Sequence, residues 1–244
     1  MNLNIYDNIN DLMTILATTI CKASELAIKR NSQFNFVLSG GSSPRKLYGL
    51  LASEKYRNKI DWTKTYFFFG DERFVPENDS QRNSLMAKEV LFDPLKIKES
   101  HIFKVDTSVS PKEAALKYSE SIQKHFKDKP IEFDFILLGL GPNSHTASLF
   151  PNTKVLEETE VTIKSVFVKE VDQYRITMTA PLINQAKEIA FLVFGEEKAD
   201  AVYHILKDKS GTINEYPARL IKSPARKVEW FLDSSAASRL LNSD

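Results

Sequence analysis

The stretch "GLGPNSHTASLFP", Gly139 to Pro151, puts an imidazole on a glycine-bounded loop directly after the apolar run "FDFILL". His145 is one of only four histidines in the chain. A near-neutral imidazole is suited to take a proton from an attacking water, although a histidine can also serve only to brace its own loop. "SGGSSPRKL" suggests a second chemistry. Ser43 suits an N-cap and Pro44 the first helical position. The free N–H groups of that turn, with Gly40, Gly41 and Ser42, then form an anion cradle at the positive end of a helix dipole. The alternative is an ordinary capped βα turn. The segment has neither the spacing and lysine of a nucleotide P-loop nor GxGxxG, which disfavours ATP and NAD. "GDERF" adds Asp71, Glu72 and Arg73, and "GEEK" adds Lys198.

These segments share one position, the exit of a predicted strand. "FNFVL", "TYFFF", "FDFILL" and "EIAFLVF" are short, continuous apolar runs, as expected of strands buried on both faces. Between them lie helical patterns. Leu12, Ile15, Leu16, Ile20, Ala23, Leu26 and Ala27 recur at helical spacing over Ile9 to Lys29, and "SQRNSLMAKEVLF", "PKEAALKYSESIQKHF" and "EEKADAVYHIL" read likewise. The polar stretch "VPENDSQRNS" reads as the end of a strand and the start of a helix. The alternation implies an α/β fold with a mainly parallel sheet covered by helices on both faces. Ligands in such folds bind beyond the carboxyl ends of the strands, so the four segments converge on one expected crevice.

Composition narrows the remaining classes. A chain of 244 residues, 42% hydrophobic, can bury a substantial core, and residues 1–244 read as a single domain. The net charge of +1 gives no global field favouring nucleic acid or an anionic membrane, so anion recognition must be local. No apolar run approaches the roughly 18 residues that span a bilayer, and "MNLNIYDNIN" is unlike a signal peptide. The lone Cys21 excludes an intrachain disulfide and a cysteine-only zinc site. In its helical pattern it reads as a buried, inert thiol. A cytoplasmic protein, monomeric or weakly self-associating, is the expectation. His101, His125 and His204 lack a comparable setting and read as structural or exposed, and no cluster has metal-ligand spacing.

The blocks "FVLSGGSSPRKLYGLL", "FFFGDERFVPENDSQRNSLMAKEVLF", "FDFILLGLGPNSHTASLFP", "RITMTAPLINQAKEIAFLVFGEEKADAV" and "VEWFLD" resemble, in this order, the 6-phosphogluconolactonases. The resemblance covers most of the chain. It implies a Rossmann-like sheet similar to that of the glucosamine-6-phosphate deaminases. It also implies hydrolysis of 6-phospho-D-glucono-1,5-lactone to 6-phosphogluconate, in the oxidative pentose phosphate pathway, without metal or organic cofactor. On this basis His145 matches the general base and Asp71 an acidic site residue that orients either sugar hydroxyls or His145, unless it only caps the next turn. Arg175 and Lys198 match phosphate-binding cations, and Gly40, Gly41, Ser42 and Ser43 the phosphate turn. Arg73 either pairs with Glu72 or reaches the substrate.

The chain departs from the family at one place. The family usually reads Asp-Gly before the histidine, where this chain has Asn143 and Ser144. Asn143 can hold one imidazole tautomer by a hydrogen bond but supplies no charge, and Ser144 lacks the freedom of glycine at a turn. Two other functions fit the resemblance. One is a deaminase or aldose–ketose isomerase, although Phe150 stands where the deaminase pattern has glutamate. The other is a catalytically silent phosphosugar-binding protein.

Overall fold

The computed structural model describes residues 2–127, 129–222 and 227–241. Its strands, in chain order, are β1 (Asn2–Tyr6), β2 (Phe34–Leu38), β3 (Thr65–Phe69), β4 (Asp71–Arg73), β5 (Phe135–Leu138), β6 (Ile163–Val168), β7 (Gln173–Met178), β8 (Glu188–Val193) and β9 (Lys227–Asp233). A six-stranded parallel sheet has the order β1-β9-β8-β5-β2-β3, and a smaller antiparallel sheet has the order β4-β7-β6. The parallel sheet accounts for the uninterrupted apolar runs. Successive side chains point to opposite faces, and both faces are covered.

Phe34, Phe36 and Leu38 join one core with α1 (Ile9–Asn31), α2 (Ser42–Ala52) and α3 (Asn83–Ala87). Helix α3 runs on through a π turn at Lys88–Phe92 into α4 (Asp93–Leu95). Val37, between those residues, joins the opposite core with α5 (Pro111–Phe126), α6 (Ala180–Ile183) and α7 (Ala199–Leu206). Phe36 is fully buried with its ring 6.3 Å from Phe67 and 5.7 Å from Phe135, so truncating it to alanine costs about 3–5 kcal/mol.

The helices begin and end where their sequences dictate. Asn8 caps α1 by accepting from the Asp11 N–H at 2.9 Å, and Ser110 caps α5, whose first residue is Pro111. At α2 the expectation needs correcting. Helix α2 starts at Ser42 and its N-cap is Gly41, at φ 106° with no side-chain cap bond. Ser43 therefore lies inside the first turn, and no hydroxyl there occupies the N–H groups.

The chain order defines where a ligand fits. From β2 the chain moves outward to β3, then returns past β2 to β5 and continues the other way through β8 and β9. The exits of β2 and β5 thus diverge at a switch point, leaving a crevice between the loops that follow them. The antiparallel sheet was not anticipated, and it forms a wall beside that crevice.

Candidate active site

The crevice is a cavity of about 260 Å³ lined by Ser39, Gly40, Gly41, Asp71, Arg73, Gly139 to Pro142, His145, Thr146, Ala147 and Lys198. Every predicted strand exit contributes to it. Ser42 and Ser43 follow Gly41 into α2, and their side chains are not among the lining. What that turn offers the cavity is its backbone.

The charged wall follows from strand alternation. In β4, Asp71 and Arg73 share one face and Glu72 points to the other. Glu72, fully buried, accepts from the N–H groups of Asn83 at 2.8 Å and Ser84 at 2.9 Å, which open α3, and stands 3.8 Å from Arg82. Burial pushes its carboxyl upward, against the Arg82 charge and those N–H groups. Glu72 therefore anchors α3 and does not pair with the Arg73 guanidinium. Asp71 accepts from the Ser148 hydroxyl at 2.6 Å, and its backbone carbonyl accepts from Asn83 at 2.9 Å.

Across the ladder, Arg73 pairs with Arg175 of β7 and Asp71 with Thr177. Like charges directly opposite one another repel. Arg175 is only 7% exposed, and its Nε and Nη1, with the Nε of Arg73, are buried without a hydrogen-bond partner. Burial, then the neighbouring Arg73, lowers the Arg175 guanidinium from its ordinary value. Buried N–H groups left unmade are costly, and an anion reaching this pair would relieve that cost. Lys198, at the start of α7, lines the same cavity and makes no ion pair among the described residues.

His145 sits on a tightly wound loop. Its carbonyl accepts from the Gly141 N–H at 2.8 Å, and Thr146 donates to the Gly139 carbonyl at 2.8 Å. A Cβ at Gly141 would collide with the imidazole, so glycine lets the ring lie against the backbone. Ser144, Ala147 and Asn152 adopt left-handed φ values of 64°, 47° and 59°. Ser144 thus takes the conformation that glycine would adopt freely. On the far side Phe150 stacks on the imidazole with centroids 3.9 Å apart and planes 15° from parallel. Burial and then the charges of Lys198, Arg175 and Arg73 push His145 down to about 4.

Asn143 faces His145, and not solvent alone. Its Oδ1 lies 2.5 Å from Nδ1 of His145 and 3.3 Å from the His145 backbone N–H, while its Nδ2 donates to Glu170 at 2.7 Å.

Three partners at the site were missed from sequence. Ser148 is in the same loop as His145 and its signal was present. Asn83 and Glu170 arrive from distant elements, and no local pattern marks them. The other histidines are structural: His101 stacks on Tyr66 at 4.5 Å, His125 meets Asn35 at 2.8 Å, and His204 meets Asp208 at 2.7 Å. Cys21 is half-buried, and burial raises its thiol from its ordinary value. Among the described residues no group of His, Cys, Asp or Glu could hold a metal ion, and no helix is long and apolar enough to cross a membrane.

Known proteins share both sequence and architecture with this chain. Residues 7–230 match the family model of glucosamine-6-phosphate isomerases/6-phosphogluconolactonase. A 6-phosphogluconolactonase of Haemophilus influenzae is 37% identical, the alignment covering 86% of this chain and 89% of that protein. One from Synechocystis is 35% identical over 95% and 96% of the two chains. The solved 6-phosphogluconolactonase of Trypanosoma brucei is 28% identical, with a TM-score of 0.84 over 98% of each chain. A monomeric glucosamine-6-phosphate deaminase, at 20% identity and a TM-score of 0.83, shares the fold over 98% of this chain and 99% of its own. Matched by the family model over residues 7–230 and by relatives more than 30% identical along most of their length, the chain belongs to the glucosamine-6-phosphate isomerase/6-phosphogluconolactonase family.

Proposed function

We propose that this chain hydrolyses 6-phospho-D-glucono-1,5-lactone to 6-phospho-D-gluconate, the lactone step of the oxidative pentose phosphate pathway, in the cytoplasm. The observation that carries this is the facing pair Arg73 and Arg175: the Nε of each and the Nη1 of Arg175 are buried without a protein partner, while the Nη1 of Arg73 donates to the Gln81 carbonyl at 2.9 Å. Arg73 and Lys198 line the cavity and Arg175, not itself in the lining, stands across the ladder from Arg73, three positive charges against the single lining carboxylate of Asp71, an excess of two. A phosphate monoester carries close to the opposite charge at neutral pH. Arg73, Arg175 and Lys198 hold it, with the open first turn of α2 supplying backbone donors.

With the phosphate fixed, the lactone carbonyl lies toward His145. The Nδ1–H of the imidazole donates to Asn143, which leaves Nε2 as the proton acceptor. Water loses its proton to Nε2 as its oxygen adds to the carbonyl carbon. Backbone N–H groups at the strand exits stabilise the oxyanion. The tetrahedral intermediate then expels the ring oxygen, which takes the proton back from the imidazolium, giving a hydroxyl and a carboxylic acid. Asp71, held by Ser148, faces the sugar hydroxyls.

The incoming phosphate also raises the basicity of His145. The surrounding cations disfavour the imidazolium, and a bound dianion offsets them. Deaminase chemistry has less support here, because Phe150 occupies the far face of His145 where that pattern has a carboxylate.

Hydrolysis of freshly generated 6-phosphogluconolactone, followed above its spontaneous rate, tests the proposal. His145→Ala is expected to lower kcat about a hundredfold or more while product affinity changes little. No acceleration by the wild type, or near wild-type kcat in the variant, contradicts it.

A further inference from the structure

An asparagine beside a catalytic imidazole poses a problem that an aspartate does not. A carboxylate only accepts, so it holds one imidazole tautomer. An amide has an accepting and a donating end, and turned over it would donate to Nδ1, leaving the proton on Nε2. A general base with its proton on the wrong nitrogen cannot do its work.

In this chain the ambiguity is resolved from outside the loop. The Nδ2 of Asn143 donates to Glu170 at 2.7 Å, from the short turn Lys169–Val171 that joins β6 to β7. Glu170 only accepts, so it fixes which end of the amide faces it. The other end, Oδ1, then receives the Nδ1–H of His145. The backbone N–H of His145 reaches the same oxygen at 3.3 Å, a longer contact that favours the same orientation. A carboxylate bonded to the amide also polarises it, so part of the charge that residue 143 lacks is supplied at one remove.

We infer that Glu170 is a positioning residue: through Asn143 it locks His145 in the tautomer that leaves Nε2 unprotonated. The inference rests on the proposed role of His145 as the base, but its structural half is separable. Glu170 itself touches neither the cavity nor the imidazole.

The test is a double-mutant cycle over Asn143→Asp and Glu170→Ala, read by lactone hydrolysis and by the ring ¹⁵N shifts of His145. Glu170→Ala alone is expected to shift His145 from one tautomer toward a mixture. It should lower kcat about fivefold, with KM moved less than about twofold. In the Asn143→Asp background the same substitution should cost nothing, because the introduced carboxylate only accepts and its repulsion by Glu170 is relieved. Equal kcat losses in both backgrounds would mean that Glu170 only supports the loop and would overturn the inference, as would unchanged ¹⁵N shifts in Glu170→Ala. If the tautomer shifts as expected while His145→Ala remains active, the lock stands and the proposed base is wrong.

Discussion

The imidazole of His145 is held as a weak base by several causes. Burial comes first among them, then Lys198, Arg175 and Arg73, and together they push it to about 4. The unphosphorylated lactone has no ionisable group, so the acid limb of its kcat/KM profile reports the free enzyme. That limb is expected near pH 4. Lys198→Met removes the cation with the largest effect on His145, so the imidazolium becomes easier to form and the limb moves to higher pH. A profile in which Lys198→Met leaves the limb unmoved would show that the lysine charge does not reach the imidazole. Asp71, His145 and Lys198 were legible in sequence because each follows an apolar strand closely, whereas Arg175 lies inside β7 and only the resemblance pointed to it. Their mutual charge coupling was not legible, since it depends on a ladder pairing Arg73 with Arg175 across about a hundred residues of chain.

Among the elements, the parallel strands and α5 could be read closely, because burial on both faces leaves a run of apolar residues and because Ser110 and Pro111 mark a helix start. The antiparallel sheet was hidden for the opposite reason. β4 has only three residues, and β6 mixes buried with half-exposed and exposed positions without strict alternation, so neither carries a distinctive run. Among the described residues β1 pairs with β9 alone, at the edge of its sheet, and Leu3 remains 46% exposed. The loop after β5 is the element where sequence and backbone disagree. Ser144 is 2% exposed and holds a φ of 64°, which costs a side chain of this kind about 1 kcal/mol relative to glycine. Ser144→Gly is therefore expected to raise Tm by about 1–4 °C, the lost side-chain packing offsetting part of the gain. A calorimetric scan decides this, and a lowered Tm would mean that the buried hydroxymethyl group contributes more than the backbone strain costs.

At the scale of the whole molecule, a nearly neutral protein concentrates positive charge where the two halves of its sheet diverge. The net charge of +1 gives no hint of this, since the cations come from β4, β7 and the start of α7 and meet only in the folded chain. On the proposed function this arrangement opposes stability until an anion arrives. Arg175→Ala tests that claim most directly, because it removes one member of the facing pair and leaves His145 in place. The measurement is the ratio of kcat/KM for the phosphorylated lactone to that for unphosphorylated gluconolactone, in the wild type and in the variant. The loss of a charge-assisted contact predicts a fall in that ratio of about tenfold to a hundredfold, carried mainly by KM of the phosphorylated substrate. An unchanged ratio, with both substrates losing equally, would contradict the assignment of the arginine pair to the phosphate.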